Sequence, residues 1–410
     1  MMGKPKIRFK GYNEDWEQRK LGKLGSLKNG MNFSKDAMGH GFPFVNLQNI
    51  FGSNVVNVNE LGLADATKKQ LLEYSLLEGD VLFVRSSVKL EGVGEAALVP
   101  ENLENTTYSG FIIRFRDEYG LNNDFKKYIF GTKKVRNQIM AQATNSANKN
   151  ISQGVLENLT VEVPSFDEQA KIGEYFSNLD HLITLHQHKC DEMKKLKKYM
   201  LQKMFPQNGK KVPEIRFDGF TNDWEQRKLW ETCSRVQGND GRMELPTLTI
   251  SAANGWMKQE DRFSGNIAGK EHKNYTLLHK GELSYNHGNS KLAKYGTVFS
   301  LQTYEEALVP RVYHSFKVES GSADFIEYYF ATKMPDRELR KLISSGARMD
   351  GLLNIGYNDF VGIKMMFPST LEQDKIAEYF RVLDHLITLH QHKCDELQNL
   401  KKYMLQNMFV

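Results

Sequence analysis

The segment KKVRNQIMAQATNSANKNISQG, beginning at Lys133, gathers Arg136, Asn137, Gln138, Asn145, Ser146, Asn148, Lys149 and Asn150, and the other half of the chain offers Arg340, Lys341, Ser344, Ser345 and Arg348. A second polar place is RSSVK, with Arg85, Ser86 and Lys89; it faces YNHGNSK, with Asn286, His287, Asn289 and Lys291. Arginine, lysine, asparagine and glutamine carry the donors and acceptors that match guanine and adenine edges, while serine and backbone groups hold phosphates. Each of these residues taken alone is an ordinary polar loop residue. Their appearance at comparable places in both halves, with different letters, points to recognition of nucleic acid.

Other chemistry is poorly supplied. A phosphate-cradling Gly-x-x-x-x-Gly-Lys-Ser/Thr loop is missing, since GNIAGKE at Gly265 is one residue short and ends in glutamate. Asn/Asp-Pro-Pro-aromatic, which holds an exocyclic amine in amino-methyltransferases, does not occur. Gly92-Val-Gly94 is too short for a nucleotide fingerprint. A nuclease-like Glu192-x-Lys194 lies mid-helix, and its copy reads Glu396-x-Gln398. No catalytic residue is therefore assigned, and catalysis by this chain alone is not expected. His181, His186, His188 and Cys190, mirrored by His385, His390, His392 and Cys394, place donors one helical turn apart, as zinc requires. The competing reading is that they pack and hydrogen-bond in a helix seam, and the expectation is no metal. Seven lysines and no acid lie between Met193 and Pro213. That run suits a solvated helix face as well as it suits phosphates.

The chain is two copies of one plan. LDHLITLHQHKCDE occurs at Leu179 and again at Leu383, and Glu168 to Phe205 matches Glu372 to Phe409 at 30 of 38 positions. IRFKGYNEDWEQRKL from Ile7 and IRFDGFTNDWEQRKL from Ile215 share 11 of 15 residues. Weaker pairs lie between them: DFKKYIFGTK from Asp124 with DFIEYYFATK from Asp324, and ALVP at Ala97 and Ala307. So long a period excludes a solenoid array.

Each repeated stretch reads as a long helix. Pro164 and Pro368 precede Ser165-x-x-Glu168 and Ser369-x-x-Glu372, two capping boxes. Ile172, Tyr175, Leu179, Leu182, His186, Met193, Leu196 and Met200 follow an alternation of 3.5 residues, flanked by Phe176, Ile183 and Cys190. Ile376, Tyr379, Leu383, Leu386, His390, Leu397, Leu400 and Met404 repeat it. Helices of roughly 50 Å at 1.5 Å per residue result. Each apolar stripe needs a cover, and the other copy is the nearest. Antiparallel pairing with pseudo-twofold symmetry is expected, with a globular domain at each end of the pair.

Within the domains, β-type runs such as FPFVNLQNI, DVLFVRSS and GFIIRFR alternate with helical segments, bounded by Gly and Asn turns. The fold class is thus α/β or α+β in two tandem domains, residues 1–164 and 207–368, with the long helices over 165–206 and 369–410. With 410 residues, 40% hydrophobic and 26% charged, the chain can bury two cores. It shows neither a membrane-spanning run nor the apolar core of a signal peptide. Three cysteines without CxxC spacing suit free thiols in a reducing, cytoplasmic setting. A net charge of +5 permits DNA without demanding it.

WEQRKL at Trp16 and Trp224, the Pro-Ser-x-x-Glu-Gln starts at Pro164 and Pro368, and the duplicated helices with LKKYMLQ at Leu196 and Leu400 give the whole chain a resemblance. It resembles the DNA-specificity (S) subunit of type I restriction-modification systems. That resemblance implies two target-recognition domains reading the halves of a bipartite double-stranded DNA site, with the helices setting the gap. Two adenine-methyltransferase (M) subunits and two ATP-dependent restriction (R) subunits are implied as partners. S-adenosylmethionine, ATP and magnesium would belong to those partners, with no cofactor on this chain. A different reading of the same sequence is a coiled-coil scaffold that grips proteins without reading DNA.

Overall fold

The computed structural model describes residues 4–144, 148–207, 209–263, 269–343 and 352–409. The chain divides into two compact units: Met1–Gln187 with Gln391–Val410, and His188–His390. Each contains one recognition domain together with one half of each long helix, Phe166–Lys203 and Thr370–Asn407.

In the first unit, a four-stranded antiparallel sheet runs in the order Gly25–Asn29, Ile112–Asp117, Val81–Val84, Ala96–Leu98. Its strand VLFV is buried at every position because both faces are covered. Val81 and Phe83 enter the core shared with the helices, whereas Leu82 and Val84 enter a second core around Val45, Ile50 and Tyr108, the alternation a strand imposes. In the second unit the sheet order is Cys233–Val236, His314–Val318, Leu283–Asn286, Thr297–Ser300. The sheet registers make Val81 equivalent to Leu283 and Phe115 to Phe316, since each pair faces each other across neighbouring strands. Ala96–Leu98 therefore corresponds to Thr297–Ser300. The ALVP at Ala307 belongs elsewhere, to a strand paired with Thr276–His279. That four-letter match is not a structural equivalence.

The stronger sequence pairs do close equivalent contacts. EQRK at Glu17–Lys20 pairs antiparallel with Thr160–Val163, and EQRK at Glu225–Lys228 with Lys364–Phe367. Trp16 packs edge-on against Phe125 and Phe409, each with ring centroids 6.2 Å away. Trp224 does the same with Phe325 at 5.7 Å and Phe205 at 6.0 Å. Arg8 grips the buried Glu168 through two hydrogen bonds of 2.7 and 2.8 Å, as Arg216 grips Glu372. The capping boxes are thus only partly formed: Ser369 Oγ accepts from Glu372 N at 3.4 Å, but both glutamate side chains turn to the arginines. A buried carboxylate gains more from a bidentate guanidinium than from one backbone N–H. The next residue also repeats its role: Gln169 bonds Pro164 O and Asn122 N, and Gln373 bonds Pro368 O and Ser322 N.

Within each unit the helix halves run antiparallel. In the first, Phe176 meets Phe409, Asp180 takes Lys401, and Cys394 Sγ lies 3.7 Å from Gln187 Oε1, one helix ascending in number as the other descends. In the second, Phe205 meets Phe380, Lys197 binds Asp384 at 2.6 and 2.7 Å, and Cys190 Sγ lies 3.8 Å from Ile387 O. Tyr128 and Tyr328 add hydrogen bonds of 2.9 and 3.0 Å to Asp180 and Asp384.

The seam is phased differently from the sequence reading. Ile172, Leu179, Ile376, Leu383 and Leu397 are buried as expected, and Met193 packs against the second core. His186, Leu386 and His390 are half-buried. Leu182, Leu196 and Leu400, however, are 40%, 39% and 41% exposed. Phe176, Cys190, Phe380 and Cys394 are buried instead, and Ile183 packs against the core, so the flank assigned as secondary is the seam. Among the described residues, no helix is long and apolar enough to cross a membrane, and no three His, Cys, Asp or Glu side chains form a metal-binding group.

Candidate nucleic-acid interface

The polar loops expected to read DNA emerge where the central strand of each sheet ends. In the first domain the chain leaves Val84 at Arg85, whose N–H donates to Phe111 O at 2.8 Å and whose carbonyl accepts from Ile151 N at 2.9 Å. Ser86–Ser87 then pairs antiparallel with Lys149–Asn150, drawing RSSVK alongside the end of the Lys133 segment. In the second domain the chain leaves Asn286 at His287, whose carbonyl accepts from Leu353 N at 2.8 Å, and Gly288 bridges to Leu352. Arg85 and His287 hold the same structural position, and so do Phe111 and Val312.

The individual side chains divide into exposed and engaged groups. Lys89, Asn148, Asn289, Lys291 and Arg340 are exposed; Ser86, Lys149 and Asn150 are half-buried beside them. Arg85 is half-buried, and its Nη1 donates to Gly110 O at 3.3 Å. Asn286 spends its amide on Ile250 O at 3.3 Å and its oxygen on Gly288 N at 3.0 Å, which shapes the turn.

Two residues are corrected. His287 is buried, with Nδ1 2.7 Å from Leu353 O and Nε2 2.8 Å from Val312 O, so neither ring nitrogen is left for a base. Its ring stacks on His314 at 4.9 Å, whose titration burial pushes down to about 4. Arg136 turns inward, donating to Glu91 O at 2.6 Å, and burial lowers its pKa while Glu95 opposes that shift. It lines a cavity of about 700 Å³ beneath the loops together with Asn54, Glu95 and Lys401. Asn145, Ser344, Ser345 and Arg348 lie outside the described residues.

Sequence reasoning missed the apolar part of the first rim. Phe51, Val88 and Phe111 are exposed around a groove of about 540 Å³ whose polar wall includes Ser86, Ser87, Lys89 and Asn148. The signal was available in the Ser-Gly-Phe turn at Ser109, where an aromatic residue sits at the start of a buried strand. The second domain has at this place an open cavity of about 550 Å³, lined by Asn286, Asn289, Arg262 and Gln259 together with Ile250, Phe263, Val312 and Leu352.

The molecule thus repeats one frame, with antiparallel helix halves in each unit and two unlike loop rims. Residues 13–195 match the family model for the type I restriction modification DNA specificity domain. The chain is 22% identical over 417 residues to the putative type I restriction enzyme MjaX specificity subunit of Methanocaldococcus jannaschii, covering 96% of this chain and 92% of that one. It is 27% identical over 151 residues to the type I restriction enzyme EcoKI specificity subunit of Escherichia coli, 36% of this chain and 32% of that one. The crystal structure of the type I restriction-modification S subunit from M. genitalium has the same fold, with a TM-score of 0.61 at 14% identity over 100% of this chain and 99% of that chain. A second fold match, from work on complex assembly and conformational transition of the type I R-M system, has a TM-score of 0.51 at 16% identity, covering 97% and 98%. Residues 13–195 thus carry the DNA specificity domain of type I restriction-modification systems, and over almost its whole length the chain is similar to their specificity subunits. A scaffold without DNA readout is thereby set aside.

Proposed function

We propose that the chain reads one asymmetric, bipartite DNA site, each recognition domain taking one half-site through the rim at the end of its central strand. The observation that carries this reading is the common placement of the two rims combined with their unlike residues. Lys89, Lys149, Lys291 and Arg340 supply phosphate and base-edge donors, and Asn148, Asn150 and Asn289 supply amides.

The chain itself is non-catalytic in this reading. Leu182, Leu185, Leu400 and Tyr403 are exposed on the first unit's helix halves, and Leu196, Tyr199, Val382 and Leu389 on those of the second. Exposed apolar side chains on two nearly identical helices suit two copies of one partner, and we assign them to two adenine-methyltransferase subunits. Two ATP-dependent restriction subunits join outside these. S-adenosylmethionine, ATP and magnesium are then held by the partners.

The test is footprinting of the assembled complex across a salt series. Two short protected segments about one helical turn apart are expected, with affinity falling steeply as salt rises because phosphate contacts release counterions. Uniform protection of any sequence contradicts the reading.

A further inference from the structure

We propose that the groove beside Arg85 in the first recognition domain receives thymine C5-methyl groups in the major groove of duplex DNA, with Phe111 and Val88 as specificity-determining contacts. This rests on the DNA-reading function above and assigns it a base chemistry. Phe111 is 58% exposed, Val88 77% and Phe51 41%. These side chains contribute little to the folded core, and exposed apolar groups gathered within a polar rim mark a contact surface. Phe111 is also held in place for contact: its carbonyl accepts from Arg85 N at 2.8 Å and its N–H donates to Ser109 Oγ at 3.3 Å.

The polar surroundings select DNA over an apolar protein segment. Lys89 and Asn148 stand on the same groove, and Lys149 follows directly on the strand that pairs with Ser87. Glu91 and Glu95 also line the groove, and carboxylates disfavour phosphate, so the backbone is met by the lysines and the base edges by the groove. On those edges the thymine methyl is the group that apolar side chains read. In the second domain the smaller Val312 replaces Phe111, and its carbonyl is taken by His287, beside a cavity whose wall mixes Ile250, Phe263 and Leu352 with Gln259, Arg262 and Asn289. The methyl contact is assigned to the half-site of the first domain, where Phe111, Val88 and Phe51 are exposed around one groove.

The experiment uses the full chain assembled with its methyltransferase subunits and duplexes carrying the site mapped by adenine methylation. Thymines are replaced by deoxyuridine, one half-site at a time, which removes only the methyl. Affinity should fall about fourfold for each contacted methyl, the worth of one buried methyl-sized group, in one half-site and not the other. Phe111→Ala and Val88→Ser, both at exposed positions, should bind thymine and uracil duplexes more nearly alike while still preferring the site to scrambled DNA. Unchanged affinity on uracil substitution with site preference intact overturns the proposal, as does a full thymine preference in both variants, or a site with no thymine in either half. Wild-type complex that binds site and scrambled DNA equally instead overturns the DNA-reading function itself. Variants that keep the thymine preference but lose the methyltransferase subunits reassign the groove to protein.

Discussion

The two recognition domains agree where they build and differ where they present. Trp16 and Trp224, Glu168 and Glu372, Gln169 and Gln373, and Asp180 and Asp384 repeat the same contacts with the same partner types. At the rims Arg85 stands where His287 stands, and Phe111 where Val312 stands. Differences also reach the helix that packs each domain on its long helix. Asp124 is paired by Lys127 on its own helix, whereas Asp324 is paired by Arg381 of the long helix, and Glu327 takes the position of Lys127. A shared frame can therefore carry two charge arrangements and two surfaces, provided the buried ion pairs and aromatic contacts are kept.

The strongest test of frame equivalence removes a buried acid from each copy. Glu168→Ala and Glu372→Ala each strand a largely buried arginine and should destabilise by about 3 kcal/mol. Urea unfolding should give similar losses for both; a large difference would break the equivalence. Next comes a contrast. Burial pushes Glu327 up to about 7, opposed by its hydrogen bonds from Ser300 N and Oγ. A carboxyl raised in the folded state binds its proton more tightly there, so stability is fullest below the ordinary carboxylate range and declines as pH rises to about 7. The decline amounts to at most about 3 kcal/mol. Glu327→Gln should flatten it in thermal melts across that window, and an unchanged pH profile would contradict the assignment.

Gly173 sharpens the comparison further. A Cβ there would lie 2.6 Å from Asp124 Cβ and 2.7 Å from Phe125 N, whereas Ala377 fills the matching position in the second copy. Gly173→Ala should cost about 1 to 3 kcal/mol by forcing the domain helix away. Equal stability of variant and wild type would show that the two helix packings are interchangeable. The smallest effect belongs to the rim: Lys149→Ala should weaken binding to all sequences alike and lower the salt slope by about one. A change in base preference would make it a base contact.

The repeats make the frame legible in the sequence, because the duplicated tryptophans, Glu-Gln pairs and helix segments are the groups that close the cores. Seam phase was less legible. Leu182 and Phe176, or Leu196 and Cys190, offer two apolar flanks at the same spacing, and only the cover on each side decides between them. The glutamates of the capping boxes were misread because Arg8 and Arg216 lie more than 150 positions away in sequence. ALVP matched by letters alone. At the rims, the sequence identified the right loops but not their exposure: His287 is tied by two carbonyls contributed by distant segments, and the role of Phe111 depends on a turn whose neighbours arrive from across the domain.

Genome-wide mapping of N6-methyladenine in the host, with and without this chain, tests the two-reader account most directly. The account predicts one chain-dependent motif made of two unlike half-sites separated by a fixed gap of unspecified bases. A single uninterrupted motif, or a methylation pattern that does not change when the chain is removed, would contradict it.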